Sequence, residues 1–287
     1  NDSTRRIVRI DGETVGQTAF SEVLTVSWLT PQMDGLFTGS SSDRRRFFDR
    51  LTYGYQSDHS RSLTAYEKNL RQRNKLLKDN VSDMTWFDSL EHKMAESAVV
   101  IHAARQQTLA TLNGECQNAI GPFPAGETSM SGEFHESLIE VGAVVESENA
   151  LESLKKAWRD RRSQDQRAGM TLTGPHRDDF EVLYRAKNCA AAICSTGEQK
   201  ALLIAIILAN ARALATMHGV APVVLLDEVA AHLDRDRRAA LFDEICALGT
   251  QCWMTGTEQS LFEDLGSRAQ MLRVCDAAVE EVEQMKD

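Results

Sequence analysis

Two adjacent carboxylates, Asp227 and Glu228, follow directly after the unbroken apolar run at residues 223–226. An apolar run without alternation predicts a strand covered on both faces, and the carboxyl ends of such strands are where open α/β sheets bind ligands. The two side chains are therefore candidates for chemistry on a bound ligand, and their types suit nucleotide hydrolysis. The alternative is that they begin a helix, where the helix dipole favours acidic residues.

A second candidate site lies before that run, at residues 194–200, which read Cys-Ser-Thr-Gly-Glu-Gln-Lys. Ser195 and Glu198 have the spacing of a capping box at the start of an apolar helix, which is a purely structural arrangement. The same helix start also suits a phosphate group. Gly197 lets the backbone approach closely, and the exposed amides lie at the positive end of the helix dipole.

The elements that would position these residues follow a β/α order in the last part of the chain. Its strands are predicted at residues 170–172, 180–184, 223–227, 251–255 and 271–274, with helices at 198–217, at 235–248 and from Gln259. A small β unit is predicted at residues 7–30, with a strand from Val23 and a turn at Asp11 and Gly12.

The middle of the chain has helical periodicity instead. It runs from residue 43 to 114, is broken by Gly-Pro-Phe-Pro at residues 121–124, and resumes from about Val144 to Gln166. We therefore expect an α/β fold in which residues 1–32 and 169–287 form a head, with a mixed sheet and flanking helices. Residues 33–168 are expected to form a long helical insertion in that head.

The charge balance limits how the protein could meet nucleic acid. A net charge of −10 argues against nonspecific coating of DNA, which requires many phosphate-neutralising cations. Only local basic groups could contact DNA, and the interpretation we favour for each one taken alone is a solvated helix face. The candidates are Arg44, Arg45 and Arg46; Arg71, Arg73, Lys75 and Lys78; and Lys155, Lys156, Arg159, Arg161 and Arg162.

Residues 174–179, Gly-Pro-His-Arg-Asp-Asp, carry a further possible catalytic or DNA-contacting pair, His176 and Arg177. The interpretation we favour is a turn between strands in which Arg177 pairs with a nearby carboxylate, because turns of this composition form for local reasons.

The sequence also indicates the compartment. No stretch reaches the roughly 18 uninterrupted apolar residues of a membrane span, and no signal-like segment opens the chain. The six cysteines form no Cys-x-x-Cys pair, so we expect small buried thiols in a reducing compartment. The expectation is a soluble, cytoplasmic protein without a membrane partner.

Taken in order, the motifs resemble those of ATP-binding-cassette (ABC) ATPases. Residues 194–200 resemble the signature motif, residues 223–228 the Walker B strand, and Leu233 and Asp234 the D-loop. The chain is more narrowly similar to the RecF family of DNA replication and repair proteins. That similarity rests on residues 39–49, 173–179 and 225–234, with Arg238 and Leu241, and extends from about residue 5 to 275.

The resemblance implies an ABC-ATPase-like head that uses ATP and Mg²⁺. It assigns Asp227 to hold Mg²⁺ and Glu228 to polarise the attacking water, and it places Asp234 at the seam of two protomers. Gln32 would take the Q-loop position, although an exposed turn residue after Pro31 is an equal alternative. The residues of the signature motif that would face a partner's nucleotide are Ser195, Gly197 and Gln199.

The implied function is that of an ATP-dependent, DNA-binding mediator of recombinational repair. Such a protein would act in replication, repair and the SOS response at gaps between single-stranded and double-stranded DNA, as an ATP-dependent homodimer with RecR- and RecO-like partners. The alternatives are the nucleotide-binding subunit of a transporter, in which the helical subdomain is shorter, and a degenerate head that serves as a DNA-binding scaffold.

One expected motif is missing. No Gly-x-x-x-x-Gly-Lys-Ser/Thr loop, which wraps the phosphates of ATP, occurs in the sequence. We therefore expect an N-terminally truncated chain whose full-length form hydrolyses ATP, whereas these residues alone do not. The position where many ABC ATPases carry a switch histidine reads Thr255-Gly256-Thr257.

Overall fold

The structure is a computed structural model that describes residues 7–15, 24–117, 119–140, 148–276 and 278–282. Its strands are β1 Val8–Ile10, β2 Glu13–Val15, β3 Val26–Leu29, β4 Gly126–Ser131, β5 Asp179–Tyr184, β6 Cys189–Ala190, β7 Val223–Leu226, β8 Cys252–Met254, β9 Leu272–Cys275 and β10 Ala278–Glu281. Its α-helices are α1 Ser41–Tyr55, α2 His59–Lys78, α3 Met84–Cys116, α4 Glu133–Glu140, α5 Glu148–Ala168, α6 Thr196–His218 and α7 Arg235–Leu248. Short 3-10 segments are Pro31–Met33, Arg185–Lys187, Ala191–Ile193, Ala230–His232 and Gln259–Arg268.

Local sequence signals explain where several elements begin and end. The β1–β2 hairpin turns at Asp11 and Gly12, whose φ angles of 52° and 87° suit the Asp-Gly turn predicted for them. The side chain of Ser40 accepts a hydrogen bond from the Asp43 N–H at the start of α1. Helix α6 ends at Gly219, whose φ of 72° is the left-handed conformation that glycine adopts without steric cost.

A parallel sheet in the order β3–β7–β8 carries the predicted site. Trp28, Leu225 and Trp253 pair across its strands, so they share one face. The opposite face, which includes Val224 and Leu226, is buried in the main core. Leu225 and Trp253 are 39% and 52% exposed. The described residues therefore cover this second face only in part, with Arg50 over the Trp28 ring, whereas the sequence predicted that β7 is covered on both faces.

An antiparallel sheet in the order β4–β5–β6 lies beside the helices. Strand β4 falls inside residues 33–168, which were expected to be helical, and it pairs along its whole length with β5. Residues 170–172 were predicted as a strand and form none. Their backbone N–H groups are bonded elsewhere: Met170 N–H donates to the Asp165 carbonyl, Thr171 N–H to the Asn74 side chain and Leu172 N–H to the Asp165 side chain.

Helix α6 lies at the centre of the main core, where it packs against α1, α3 and β3. By length and composition this helix could cross a membrane, but 72% of its most apolar window is buried inside the molecule, as in the core helix of a soluble protein. The 33-residue helix α3 joins two cores. Leu109 and Leu112 lie in the main core. Met94 and Ile101 pack with Trp158 in a second cluster, to which α2, α4 and α5 contribute.

Two further expectations concern the burial of the cysteines and the starts of two predicted elements. The cysteines are not uniformly buried: Cys116 is buried, but Cys246 and Cys275 are exposed because they lie on the outer surfaces of α7 and β9. The predicted start of a strand at Val23 and of a helical stretch at Val144 lies outside the described residues.

Candidate nucleotide site and nucleic-acid surface

The carboxyl ends of the three parallel strands form one edge, which we call the sheet edge. Pairing continues one residue past the strands, because Asp227 N–H donates to Leu29 O at 2.9 Å and Thr255 N–H donates to Leu226 O at 3.0 Å. The sheet edge therefore holds Asp227 and Glu228 after β7 and Thr255 after β8. Gln32 is exposed in the 3-10 turn that follows β3 at the same edge.

Thr255 links the two predicted catalytic residues. Its hydroxyl donates to Oδ1 of Asp227 at 2.6 Å, and its Oγ1 accepts a hydrogen bond from the Glu228 N–H at 3.1 Å. Glu228 has a φ of 53°, a left-handed conformation that costs free energy in a residue other than glycine. The hydrogen bond to Thr255 helps to hold this conformation, which leaves the Glu228 side chain exposed beside Asp227. The sequence analysis noted Thr255 only because it lies where many ABC ATPases carry a switch histidine.

The sheet edge can contribute to a magnesium site but does not complete one. Mg²⁺ in nucleotide sites is usually held by one or two carboxylates together with water and phosphate oxygens. Asp227 is an exposed carboxylate with one oxygen engaged by Thr255, which fits such a shared site. Among the described residues no group of three or more His, Cys, Asp or Glu side chains is placed to hold a metal by itself.

The start of α6 has the predicted helix-start geometry. The Glu198 carboxylate accepts hydrogen bonds from the Ser195 N–H at 3.0 Å and from the Ser195 hydroxyl at 2.9 Å. Lys187 lies 2.5 Å from Glu198, and this ion pair, with the two Ser195 bonds, lowers the pKa of Glu198 to about 2. A side chain at Gly197 would meet no atom within 4 Å. The segment is therefore open to solvent and to any large group that approaches it.

Gln199 does not lie where a nucleotide could reach it, so its assignment to nucleotide binding is corrected. The residue is 5% exposed, and its Nε2 donates to Cys194 O at 3.0 Å and to Ala192 O at 3.3 Å. Its side chain therefore fixes the loop that leads into α6. The neighbouring Lys200 donates to Asp34 at 3.2 Å, which ties the start of α6 to the turn that contains Gln32.

Asp234 is the N-cap of α7. Its carboxylate accepts a hydrogen bond from the Arg237 N–H at 2.9 Å, and the residue is exposed. Its second oxygen lies 3.7 Å from Nε of Arg237. The Asp234 side chain is exposed, so a contact with a second molecule is compatible with the capping bond.

In the run of arginines at residues 44–46, Arg44 and Arg45 stabilise the fold, so their assignment as DNA contacts is withdrawn. Arg44 makes a bidentate pair with Asp179, at 2.8 and 2.6 Å, and also donates to Gly39 O. Arg45 is half-buried and donates to Asp178 O. Both guanidinium groups are directed inward, toward the segment at residues 173–179. Only Arg46 of this run is well exposed.

Arg73 is the clearest correction. It is fully buried, because its guanidinium donates to Glu91 at 3.0 Å, to Asp165 at 2.7 Å, to Thr171 at 2.7 Å and to Trp158 O at 3.2 Å. The Arg73 side chain has no exposed surface, so a phosphate cannot reach it. The buried charges of this cluster join α2, α3 and α5, which is a structural role.

The segment at residues 173–179 is likewise structural. Arg105 bridges Asp49 and Asp178, and it also donates to Pro175 O at 2.9 Å. Burial opposes ionisation of Asp49, but Arg105 and His59 hold its pKa at about 2. Burial dominates at Asp178 and raises its pKa to about 6. Sequence periodicity gave no sign of this cluster, because its members come from four separate parts of the chain.

His176 is part of the same interior. Its Nδ1 lies 2.8 Å from the Tyr66 hydroxyl and its Nε2 lies 3.1 Å from Thr171 O, while burial lowers its pKa to about 4. The segment is therefore a turn, as favoured, but it leads from α5 into β5 and does not join two strands. No carboxylate of the described residues forms the ion pair expected for Arg177, whose guanidinium lies against the Met170 sulfur.

An exposed row of basic residues does run along α2, and we call it the basic stripe. Its members are Lys68, Arg71, Lys75 and Lys78, all exposed, at spacings of three, four and three residues. Such spacing places side chains on one face of a helix. At 1.5 Å per residue the stripe is about 15 Å long. Arg71 has one acidic neighbour, Glu67 at 3.5 Å. The spacing could have identified Lys68 and excluded Arg73, which lies off this face.

Comparison with known proteins identifies relatives of this chain. The DNA replication and repair protein RecF of Brucella suis biovar 1 is 45% identical over 271 residues, which cover 94% of this chain and 70% of that protein. RecF of Agrobacterium fabrum is 45% identical over 277 residues, covering 96% of this chain and 72% of the relative. RecF of Rhizobium meliloti is 44% identical over 278 residues, covering 96% and 73%. No family model matches the chain.

Solved structures agree on the fold. The recombination mediator protein RecF-ATPrS in the RecFOR pathway superposes with a TM-score of 0.79 at 22% identity, covering 96% of this chain and 73% of that one. The corresponding RecF-ATP structure gives a TM-score of 0.77 at 20% identity. The predicted α/β head of the ABC-ATPase type is therefore confirmed as a fold.

Proposed function

This chain belongs to the RecF family of DNA replication and repair proteins, and we propose that it is an ATP-dependent, DNA-binding mediator of recombinational repair. The observation that carries the proposal is the sheet edge, where Asp227 and Glu228 are exposed side by side and linked through Thr255. Family membership alone would not assign chemistry to individual residues. The paired carboxylates and their shared hydroxyl support such an assignment.

At the sheet edge each residue has a separate task. Asp227 would hold Mg²⁺ with one oxygen while Thr255 orients the other, and Glu228 would accept a proton from the water that attacks the γ-phosphate. Mg²⁺, when bound, would neutralise charge on the phosphate oxygens. Gln32, exposed beside the same edge, would contact the nucleotide or the ion through its amide. The phosphate-wrapping loop is not among these residues, so hydrolysis is proposed for a protein that carries one.

The start of α6 would act on a second protomer. Ser195 and Gly197 are exposed. Glu198 stabilises the helix start by its hydrogen bond with Ser195, and Gln199 does so by its hydrogen bond to the Cys194 carbonyl. A helix start with exposed amides favours a phosphate group. We propose that two copies close on ATP, with this segment of one copy against the γ-phosphate held by the other, and with Asp234 at the seam. The open space around Gly197 supports this, since a partner can approach there without a clash.

DNA would bind along α2. The chain is acidic overall, so its contact with phosphates must be local, and the basic stripe offers four exposed cations on one face. Arg46 would be a secondary contact. The biological setting that follows is a cytoplasmic protein that acts at junctions of single-stranded and double-stranded DNA in replication, repair and the SOS response, with RecR- and RecO-like partners. No observation favours the transporter alternative.

The experiment uses a hybrid in which this chain replaces the matched 271 residues of the Brucella suis relative. In this hybrid Glu228→Gln should keep ATP binding and ATP-dependent dimerisation, while hydrolysis slows by at least about a hundredfold, as expected for loss of a positioned base. Light scattering measures the dimer and phosphate release measures hydrolysis. A Glu228→Gln hybrid that turns over at the parental rate would remove Glu228 from the mechanism.

A further inference from the structure

Two thiols face each other on the loop that leads into α6. The Sγ atoms of Cys189 and Cys194 are 3.6 Å apart, and both residues are partly exposed. Cys194 lies directly before Ser195, the first residue of the proposed partner-facing segment. The remaining cysteines lie elsewhere in the fold, on α3, α7, β8 and β9.

Both thiols are held by ordered structure. Cys189 is in β6 and pairs with Tyr184 of β5. Cys194 closes the 3-10 turn Ala191–Ile193 through its N–H, which donates to Ala191 O at 3.1 Å, and its own carbonyl accepts from Gln199 at 3.0 Å. The short distance between the sulfur atoms therefore results from the fold on each side of the turn. It does not depend on a freely moving tail.

The environment assigns different parts to the two thiols. The Cys194 thiol also donates to Ala190 O at 3.6 Å, which helps to keep it protonated. Partial burial and the neighbouring Cys189 raise its pKa to about 11. We therefore take Cys189 as the thiol that is oxidised first, an order that the single-cysteine variants test. Cys194 would then be the resolving thiol, since its sulfur is already in place.

We propose that Cys189 and Cys194 form a reversible disulfide when the protein meets a hydroperoxide. The Cys189 thiolate attacks one peroxide oxygen, the O–O bond breaks, and Cys189 becomes a sulfenic acid while the other oxygen leaves as water. The Cys194 sulfur then attacks the sulfenic sulfur and expels its oxygen as a second water molecule. Two thiols are oxidised to one disulfide, and one hydrogen peroxide is reduced to two waters.

The disulfide would change the start of α6. Bond formation must draw the sulfur atoms from 3.6 Å to about 2.05 Å, and we expect the turn between β6 and α6 to take up part of this movement. Ser195 is covalently next to that turn, and the Cys194 carbonyl is held by Gln199. This regulatory consequence rests on the proposed function: oxidation should reduce ATP-dependent dimerisation, because the segment that meets the partner's nucleotide is displaced.

The disulfide itself can be tested on this chain without any nucleotide. Trypsin cleaves after Lys187 and Lys200 and releases residues 188–200, which contain Cys189 and Cys194 and no other cysteine. The protein is treated with hydrogen peroxide, its free thiols are alkylated under denaturing conditions, and the mass of the peptide is measured. We expect a peptide lighter than the dithiol form by two hydrogen atoms, without alkyl groups, which regains both thiols after dithiothreitol.

The control variants separate pairing from general oxidation. In Cys189→Ser the remaining Cys194 should stay alkylatable, and in Cys194→Ser the remaining Cys189 should progress to a form with two or three added oxygens. Cys246→Ser removes an exposed thiol elsewhere and should leave the result unchanged. The proposal is overturned if wild-type protein keeps both thiols alkylatable, or if Cys189 gains oxygen while Cys194 stays reduced.

The regulatory consequence is measured in the hybrid by light scattering with ATP. Oxidised hybrid should dimerise at least fivefold less than reduced hybrid, and Cys189→Ser hybrid should be insensitive to peroxide. Equal dimerisation of the oxidised and reduced forms would overturn the regulatory consequence. A reduced hybrid that never dimerises would instead refute the composite site of the proposed function, and the mass measurement would still stand.

Discussion

The hydroxyl of Thr255 lies 2.6 Å from a carboxylate oxygen of Asp227, across two neighbouring strands of the parallel sheet. The Oγ1 atom of Thr255 also accepts a hydrogen bond from the Glu228 N–H at 3.1 Å. One side chain therefore orients the proposed metal ligand and also stabilises the left-handed backbone of the proposed base. We infer that Thr255 is a positioning residue for both.

Replacing Thr255 with valine tests this inference, because valine keeps the shape and removes the hydroxyl. In the hybrid, Thr255→Val should raise the Mg²⁺ concentration needed for half-maximal ATP hydrolysis and lower the maximal rate by about 10-fold or more, as for other residues that orient metal ligands. Thr255→Ser should restore both values. Thr257→Val, at a nearby exposed threonine, is the matched control. An unshifted Mg²⁺ titration in Thr255→Val would contradict the assignment.

The basic stripe gives a prediction about DNA. Changing Lys68, Arg71, Lys75 and Lys78 to glutamine should weaken duplex binding to all sequences alike, because phosphate contacts carry no sequence information. The dependence of log affinity on log salt should become shallower, by about 0.9 for each phosphate that is no longer neutralised. Labelled duplex titrated at several salt concentrations measures both. Lys93→Gln, at an exposed lysine of α3, should change neither. A slope equal to that of the parent would reduce the stripe to a solvated surface.

Arg71 and Arg73 are two residues apart and should behave in opposite ways. Arg73→Met leaves the buried Asp165 without its cation and leaves Glu91 with Arg162 alone, so the free energy of unfolding should fall by about 3–5 kcal/mol. Arg71→Met, at a side chain that is 69% exposed, should change it by less than about 0.5 kcal/mol. Urea unfolding followed by circular dichroism compares the two. Equal effects would mean that Arg73 is not the centre of a buried cluster.

Stability should decrease as the pH falls from 6.5 to 4. In the unfolded chain His102 and His176 take up protons near pH 6.5, whereas burial lowers both pKa values to about 4 in the folded state. Two protons are then bound preferentially by the unfolded state in this window. Asp178 opposes them, because its folded pKa of about 6 lies above the unfolded value of 3.8. The balance is about one proton, or roughly 1.4 kcal/mol per pH unit.

The measurement is the free energy of unfolding in urea at several pH values between 6.5 and 4. His176→Gln should give a flatter profile than wild type, since one of the two protons no longer contributes. His92→Gln, at an exposed histidine, should leave the profile unchanged. A parental stability that rises as the pH is lowered through this window would show that Asp178 dominates.

The sequence by itself determined most of the β/α order after residue 179 and the position of Asp227 and Glu228 at the end of a strand. The apolar run before Asp227 and the capping box at Ser195 are local patterns, and local patterns are visible in the order of the residues alone. Helix α7 begins and ends at the predicted residues for the same reason: Asp234 caps its start and Gly249 ends it.

The tertiary structure decided which polar residues face outward. Arg71 and Arg73 have the same chemistry and lie in one helix, and only the packing of α2 against α3 and α5 shows that one is exposed and the other buried. The side chain of Arg44 is directed inward because it pairs with Asp179, which is distant in sequence. The side chain of Gln199 is directed inward because it donates to carbonyls of the neighbouring loop. Strand β4 escaped prediction because its pairing with β5 joins parts of the chain about fifty residues apart. Such contacts depend on three-dimensional packing, and sequence periodicity does not show them.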